Sequence, residues 1–291
     1  MDGVLNINKP VGISSFDVVR KIRKLTGIKK VGHTGTLDPE ASGVLPVCIG
    51  SATKLVNHIM SDCKVYRVEL MLGVVTDSYD REGTIVRNSR VDLRNDEIKK
   101  AIKSFEGEIN QVPPMYSALK VNGRRLYSLA RQGIEIEREP RKVKIYSINI
   151  LELNLPKVIF TVKCSKGTYI RSLCYDIGEK LKCGGSMWNL QRIETGNFNI
   201  RNSVELDELT KDNIYKYIIS MDKVLFDYPE IHIDEKYEKL LLNGVEMNNP
   251  FIIRNIQKNE FHRVYIGKDK FIGIGIRKDS GFKMTKLLLQ R

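Results

Sequence analysis

Residues 30 to 50 read Lys-Val-Gly-His-Thr-Gly-Thr-Leu-Asp-Pro-Glu-Ala-Ser-Gly-Val-Leu-Pro-Val-Cys-Ile-Gly. The groups here that invite chemistry are the Asp38 carboxylate and the His33 imidazole. Glycine at 32, 35 and 43 permits backbone conformations closed to other residues, and Pro39 fixes its own φ and biases Asp38 toward extended geometry. The stretch therefore reads as a shaped loop. A carboxylate on a stiff loop, just before the apolar run Val44 to Ile49, is placed to act as a nucleophile or general base. The same residue types also describe an ordinary tight turn whose Asp bonds its own backbone.

Around that loop the chain supplies short, regular elements. Residues 3 to 8 form a strand ending at Lys9-Pro10. Ser14 or Ser15 then caps a helix with Val18, Ile22 and Leu25 on one face, and Gly27 stops it. Ala52 to Met60 reads as a short helix. Residues 64 to 72 alternate, with Tyr66, Val68, Leu70 and Leu72 on one face, and Tyr66 at the start of the strand can reach a cleft. Gly73 to Gly83 is turn-rich and carries Asp77 and Asp80, but its acidic spacing is wrong for a calcium loop. Asn95 opens an amphipathic helix with Ile98, Ile102 and Phe105 inward.

Residues 113 to 141 differ in texture. Tyr116, Lys120, Arg124, Arg125, Tyr127, Arg131, Arg138 and Arg141 mix aromatics with cations, which suits an arm that grips a phosphate backbone and stacks on bases. A solvated basic helix-loop packed through Leu126 and Leu129 is the plainer reading. Strands follow at 142 to 153 and 157 to 164. A helix then spans about Thr168 to Lys182, with a core stripe of Ile170, Leu173, Cys174, Ile177 and Leu181. Arg171 falls in its first turn, on the polar side. A cation there opposes the helix dipole at a cost of ~0.3–1 kcal/mol, which suggests a carboxylate partner or an anionic ligand. A simply exposed arginine is the alternative.

The composition narrows the partner. Lys and Arg total 48 against 35 Asp and Glu, a formal net charge of +13, which attracts polyanions and above all nucleic acid. No basic amphipathic helix with an apolar aromatic face and no long apolar run points to a membrane. The opening residues Met-Asp-Gly-Val-Leu-Asn-Ile-Asn-Lys-Pro do not pair a charged n-region with an apolar h-region, so export is not expected. Five cysteines with no Cys-x-x-Cys pair argue against zinc and against a disulfide framework, and for reduced thiols in the cytoplasm. Four histidines, His33, His58, His232 and His262, are too dispersed for a ligand set. No Walker A loop or dinucleotide fingerprint appears.

The string Gly-His-Thr-Gly-Thr-Leu-Asp-Pro-Glu-Ala-Ser-Gly-Val-Leu-Pro closely resembles the signature loop of the TruB-type tRNA pseudouridine-55 synthases. Further segments match in order: Asn-Lys-Pro-Val-Gly-Ile-Ser-Ser at 8 to 15, Lys-Val-Tyr-Arg at 64 to 67, and Pro-Pro-Met-Tyr-Ser-Ala-Leu-Lys-Val at 113 to 121. Gly-Thr-Tyr-Ile-Arg-Ser-Leu at 167 to 173 and Leu-Gln-Arg at 190 to 192 complete the set, over roughly three quarters of the chain.

The resemblance implies an α+β fold: a mixed, mainly antiparallel sheet with flanking helices over residues 1–228, including an RNA-gripping arm at about 113–141. The C-terminal residues 229–291, divided off near Pro229, look like a small PUA-like RNA-binding β-barrel. The implied activity is isomerisation of uridine to pseudouridine in the T-loop of tRNA, without cofactor or metal, by a monomer. Asp38 is then the catalytic aspartate, acting as nucleophile on sugar or base or stabilising charge as the glycosidic bond breaks. Arg171 is its ion partner. Tyr66 stacks on the target uracil and is a candidate to remove a proton, and Tyr169 and Leu190 complete the base pocket. The stacked base must first be swung outward, with His33 filling the gap; Lys9 supports the loop and Asp80 contacts RNA nearby. Two other readings stand beside this one. A non-catalytic tRNA-binding or folding protein of the same fold would not need Asp38. A phosphate-binding enzyme built on the glycine-rich loop is weakened because these glycines lead into Val-Leu-Pro-Val rather than a helix.

Overall fold

The computed structural model describes all residues except Ser61, Ala118, Asn122, Asn255, Gln290 and Arg291. Ala118 and Asn122 of the arm segment and Asn255, Gln290 and Arg291 of the C-terminal module thus lie outside the described residues. In chain order the first elements are β1 (Gly3–Lys9), α1 (Ser15–Thr26), β2 (Val31–His33), β3 (Ala41–Ile49), α2 (Val56–Ile59) and β4 (Cys63–Leu72). A hairpin of β5 (Val74–Thr76) and β6 (Ile85–Asn88) leads to α3 (Asn95–Lys103) and β7 (Gly107–Gln111). The arm holds β8 (Lys120–Val121), β9 (Arg124–Arg125) and α4 (Leu126–Ala130). Then come β10 (Arg141–Asn154), β11 (Lys157–Ser165), α5 (Ile170–Lys180), β12 (Gly185–Thr195), β13 (Phe198–Asn199) and β14 (Val204–Glu205). The chain ends in β15 (Glu230–Ile233), β16 (Phe261–Ile266), β17 (Lys270–Lys278) and β18 (Gly281–Leu287).

The first sheet runs β14-β1-β3-β12-β4-β11-β10-β7, with β13 on β12 and β2 on β3. It is mixed and mainly antiparallel: β1 with β14 and β3 with β12 are its parallel pairs. Local chemistry accounts for the helices that flank it. Ser14 caps α1 in a reciprocal box with Asp17, and Gly27 closes it in the left-handed region at φ 72°. On β4 the alternation works as expected, because Tyr66, Val68, Leu70 and Leu72 are all buried.

The apolar run of β3 does not alternate because both of its faces are covered. Leu45, Val47 and Ile49 join the main core with Leu5 and Ile7, whereas Val44 and Cys48 join Val4, Ile274 and Leu288 on the opposite face. The second sheet, β15-β16-β17-β18, has its own core around Ile233, Val264, Ile266, Ile272 and Phe282. It therefore backs the strand that delivers the signature loop.

Two glycines are fixed by close approach. Gly43 sits at φ 105°, and a Cβ there would lie 2.2 Å from the Arg192 carbonyl oxygen on the neighbouring parallel strand. Gly178 lets α5 settle on β12, since a Cβ would meet Gly185 N at 2.1 Å. Gly32 and Gly35, expected to shape the loop, have no positive φ and leave room for a side chain.

Candidate active site

Asp38 lies in the loop between β2 and β3, and that loop is held from below. Lys9, at the end of β1, is fully buried, and its ammonium donates to the carbonyls of Pro10 at 2.8 Å, Ile13 at 2.7 Å and Pro39 at 3.0 Å. Ser15 Oγ bonds both backbone groups of Leu37, and Gly12 N donates to Pro39 O. The residues on either side of Asp38 are thus pinned, while its carboxylate is 45% exposed. Burial lowers the Lys9 pKa to about 8, and three carbonyl acceptors use all three protons of the ammonium form. Lys9 sits beneath the loop, in a supporting place rather than facing a ligand.

Arg171, on the first turn of α5, is buried, although the helix pattern puts it on the polar side. Its guanidinium reaches Asp38 Oδ2 at 3.1 Å and Asp80 Oδ2 at 3.3 Å, and donates to the Tyr116 carbonyl at 2.7 Å. Two carboxylates offset the unfavourable dipole position. Asp80, expected to contact RNA, is turned inward to Arg171; its other oxygen accepts from Ser78 Oγ at 2.6 Å and Glu82 N at 3.1 Å. The Tyr116 contact brings the root of the arm against the same guanidinium. Beyond it, Met115, Leu126 and Leu129 form a small core, and Arg125 and Arg131 lie over the Tyr127 ring. The packing face and the cationic, aromatic face foreseen for residues 113 to 141 coexist.

Tyr66 is buried on β4, directly opposite Arg192 in the register. Burial pushes its phenol up, so at neutral pH it keeps its proton and is a poor base. His33 closes β2. Burial, with the Arg192 charge behind it, pulls its pKa down, and Gly35 N donates to its Nδ1 at 3.4 Å, so the ring is neutral near pH 7. Leu190 is half-buried on β12 and pairs with Ala41 at the exit of the Asp38 loop.

Tyr169 is the N-cap residue of α5 and provides no side-chain cap. Gln111, buried at the end of β7, does that work: its amide accepts from Tyr169 N at 2.7 Å and donates to Tyr169 O at 3.0 Å. Sequence reasoning missed Gln111, because the clamp crosses 58 positions. It also passed over Arg192, which is buried and donates to Val44 O at 2.8 Å and Gly35 O at 3.1 Å, tying β12 to the signature segment. Its signal was a cation between Leu190 and Ile193 in the strand Gly185–Thr195. Among the described residues no group of three or more His, Cys, Asp or Glu side chains is placed to hold a metal ion, and no helix is long and apolar enough to cross a membrane.

Comparison with known proteins follows the same geometry. Residues 23–170 match the N-terminal domain of the TruB family pseudouridylate synthases, and residues 171–226 match the tRNA pseudouridylate synthase B C-terminal domain. The chain is 57% identical over 289 residues to tRNA pseudouridine synthase B of Clostridium kluyveri, covering 99% of this chain and 100% of the relative. It is 56% identical to that of Clostridium novyi with the same coverage. Among solved structures, a Cbf5-Nop10-Gar1 complex superimposes with a TM-score of 0.75 at 29% identity, over 99% of this chain and 85% of that one. An H/ACA RNP bound to a substrate RNA containing 2'-deoxyuridine gives 0.73 at 27%, over 99% and 86%. Fold and relatives together define a pseudouridine synthase, an enzyme of the isomerase class. The chain belongs to the TruB family.

Proposed function

We propose that this enzyme isomerises uridine to pseudouridine at position 55, in the T-loop of tRNA, as a monomer in the cytoplasm and without cofactor or metal. Its relatives are named tRNA pseudouridine synthase B, and the net charge of +13 suits a polyanionic partner. In this reading residues 1–228 are the catalytic domain and 229–291 a PUA-like RNA-binding module. The arm grips the stem of the T-arm.

The observation that carries the reading is the pairing of an exposed Asp38 carboxylate with a buried Arg171 guanidinium. The guanidinium aims Asp38 through a charge-assisted contact at 3.1 Å, while exposure leaves the carboxylate open to a large ligand. The target nucleotide is extruded from its stack at a cost of a few kcal/mol, which stacking in the enzyme offsets. Asp38 is the negative group that meets it as the C1′–N1 bond breaks. The uracil turns, C1′ bonds to C5, and the proton leaving C5 is balanced by one gained at N1. Tyr66, protonated at neutral pH, serves as a floor for the base rather than as its base catalyst. Tyr169 and Leu190 line the same position, and neutral His33 takes the space the nucleotide vacates.

Incubation with unmodified tRNA transcript, followed by base-resolved detection of pseudouridine, tests the proposal. Asp38→Asn should abolish product, a loss of at least about 10⁴-fold on the scale of a deleted nucleophile, while RNA binding stays within a few-fold. Normal turnover by that variant, or modification only at other uridines, would refute it.

A further inference from the structure

Arg81 has no part in the chemistry described above, yet it meets two elements of the site directly and a third through Asn189. It follows Asp80 directly in the turn between β5 and β6. Its guanidinium forms an ion pair with Glu40, two residues beyond Asp38 in the signature loop. The same group donates to Asn189 Oδ1 at 2.8 Å, beside Leu190 on β12. Asn189 in turn donates to Glu69 Oε2 at 2.7 Å on β4, the strand of Tyr66. Glu82 of the same turn adds a looser contact at 3.8 Å.

The arrangement has a mechanical sense. Asp38 and Asp80 both bind the Arg171 guanidinium, and each is on a loop. One residue past Asp80 and two past Asp38, the same two loops are joined again by Arg81 and Glu40. The side chains of this second pair are 29% and 28% exposed, so it is shielded more than a surface pair and is still open to solvent at one side. Lys9 fixes the signature loop from beneath through Pro39, and Arg81 fixes it from the side through Glu40. Two attachments fix the separation of the carboxylates where one would leave a hinge.

We infer that Arg81 is a positioning residue: with Glu40 it forms a brace that sets the Asp38 carboxylate at its working distance from Arg171 and Asp80. This rests on the reading of Asp38 as the catalytic group. It makes Arg81 an arginine beside an RNA site whose work is internal to the protein. An arginine held for a phosphate would show the opposite dependence on Glu40, since removing that acid would release it for RNA.

The experiment is a double-mutant cycle of Glu40→Gln and Arg81→Gln on the full chain. It is read as single-turnover rate at saturating enzyme on unmodified tRNA transcript, and separately as RNA Kd across a salt series. Misplacement of a reacting group by about 1 Å costs up to ~10²-fold. Each single variant should therefore lose roughly 10- to 100-fold in rate, with Kd within about threefold of the parent. The double variant should be no slower than the slower single, because both substitutions remove the same Arg81–Glu40 contact. Arg81→Lys, which keeps the charge opposite Glu40, should recover most of the rate. The brace is overturned if both singles react at the parental rate, or if their losses multiply. It is equally overturned if Arg81→Gln weakens RNA binding with a shallower salt slope while Glu40→Gln tightens it, which marks a phosphate contact. Asp38→Asn in the same assay separates the two levels: turnover by that variant sinks the reading of Asp38, whereas an inert Asp38→Asn beside fully active brace variants sinks the brace alone.

Discussion

A guanidinium that is shared three ways cannot be replaced by a point charge. Arg171 gives one nitrogen to Asp80 and another to both Asp38 and the Tyr116 carbonyl, from a buried position on the first turn of α5. The fork is planar and fixes the angle between its partners; an ammonium on a flexible stem has the charge without the geometry. Arg171→Lys is therefore expected to fold, with a loss of about 1–3 kcal/mol for the contacts it cannot complete, and to react roughly 100-fold more slowly. Urea unfolding and single-turnover assays measure the two effects. A variant within threefold of the parental rate would show that charge alone, rather than the fork, serves Asp38. The pairing of Asp38 with Arg171 was foreseen, but the depth of Arg171 was not. Its burial depends on Asp80, 91 residues distant, and on the arm root folding over it, and neither is a local property of the helix.

At the scale of elements, what could be read was whatever the chain settles within a few residues. The caps of α1 and the alternation of β4 are local, and both appear as expected. The double-sided burial of β3 and the clamp of Gln111 on Tyr169 are set by distant partners, and no spacing encodes them. In α5 the same limit applies to Asp176, which is only half-exposed and feels the charge of Glu179. Burial first, and then Glu179, raises its carboxyl to about 6. A carboxyl raised in the folded state binds more protons there than when unfolded. Its contribution is fully present below the ordinary value of 3.8 and is lost as pH rises through about 6. Asp176→Asn carries no charge to desolvate. It should stabilise the protein at pH 8 by about 1–2 kcal/mol, after allowance for partial solvent screening, and the gain should shrink toward nothing between pH 6 and 4. Urea midpoints for parent and variant at pH 8 and pH 4.5 provide the comparison; a gain larger at the acidic pH would reverse the sign and reject the assignment.

For the whole molecule, the question is whether the C-terminal sheet is an appendage or part of the frame that aims Asp38. Ile274 and Leu288 are fully buried in one cluster with Val4 of β1 and with Val44 and Cys48 of β3. Lys54 donates to the Leu287 carbonyl at 2.8 Å, and Phe261 packs edge-on against His58 with ring centroids 5.0 Å apart. These contacts join the second sheet to the back of the strand that emerges from the signature loop, so removing them uncovers β3 as well as the module. Leu288→Ala deletes a fully buried side chain, and such a change costs ~2–5 kcal/mol. If the module were independent, that cost would fall on it alone. If the two sheets unfold together, it must also reach Trp188, the single tryptophan, which sits on β12 in the first sheet. The expected result is one urea transition, with Trp188 fluorescence and far-UV circular dichroism shifting to the same lower midpoint in Leu288→Ala. A Trp188 midpoint unmoved by the substitution, with a second transition resolved below it, would show that the C-terminal sheet contributes nothing to holding the signature strand.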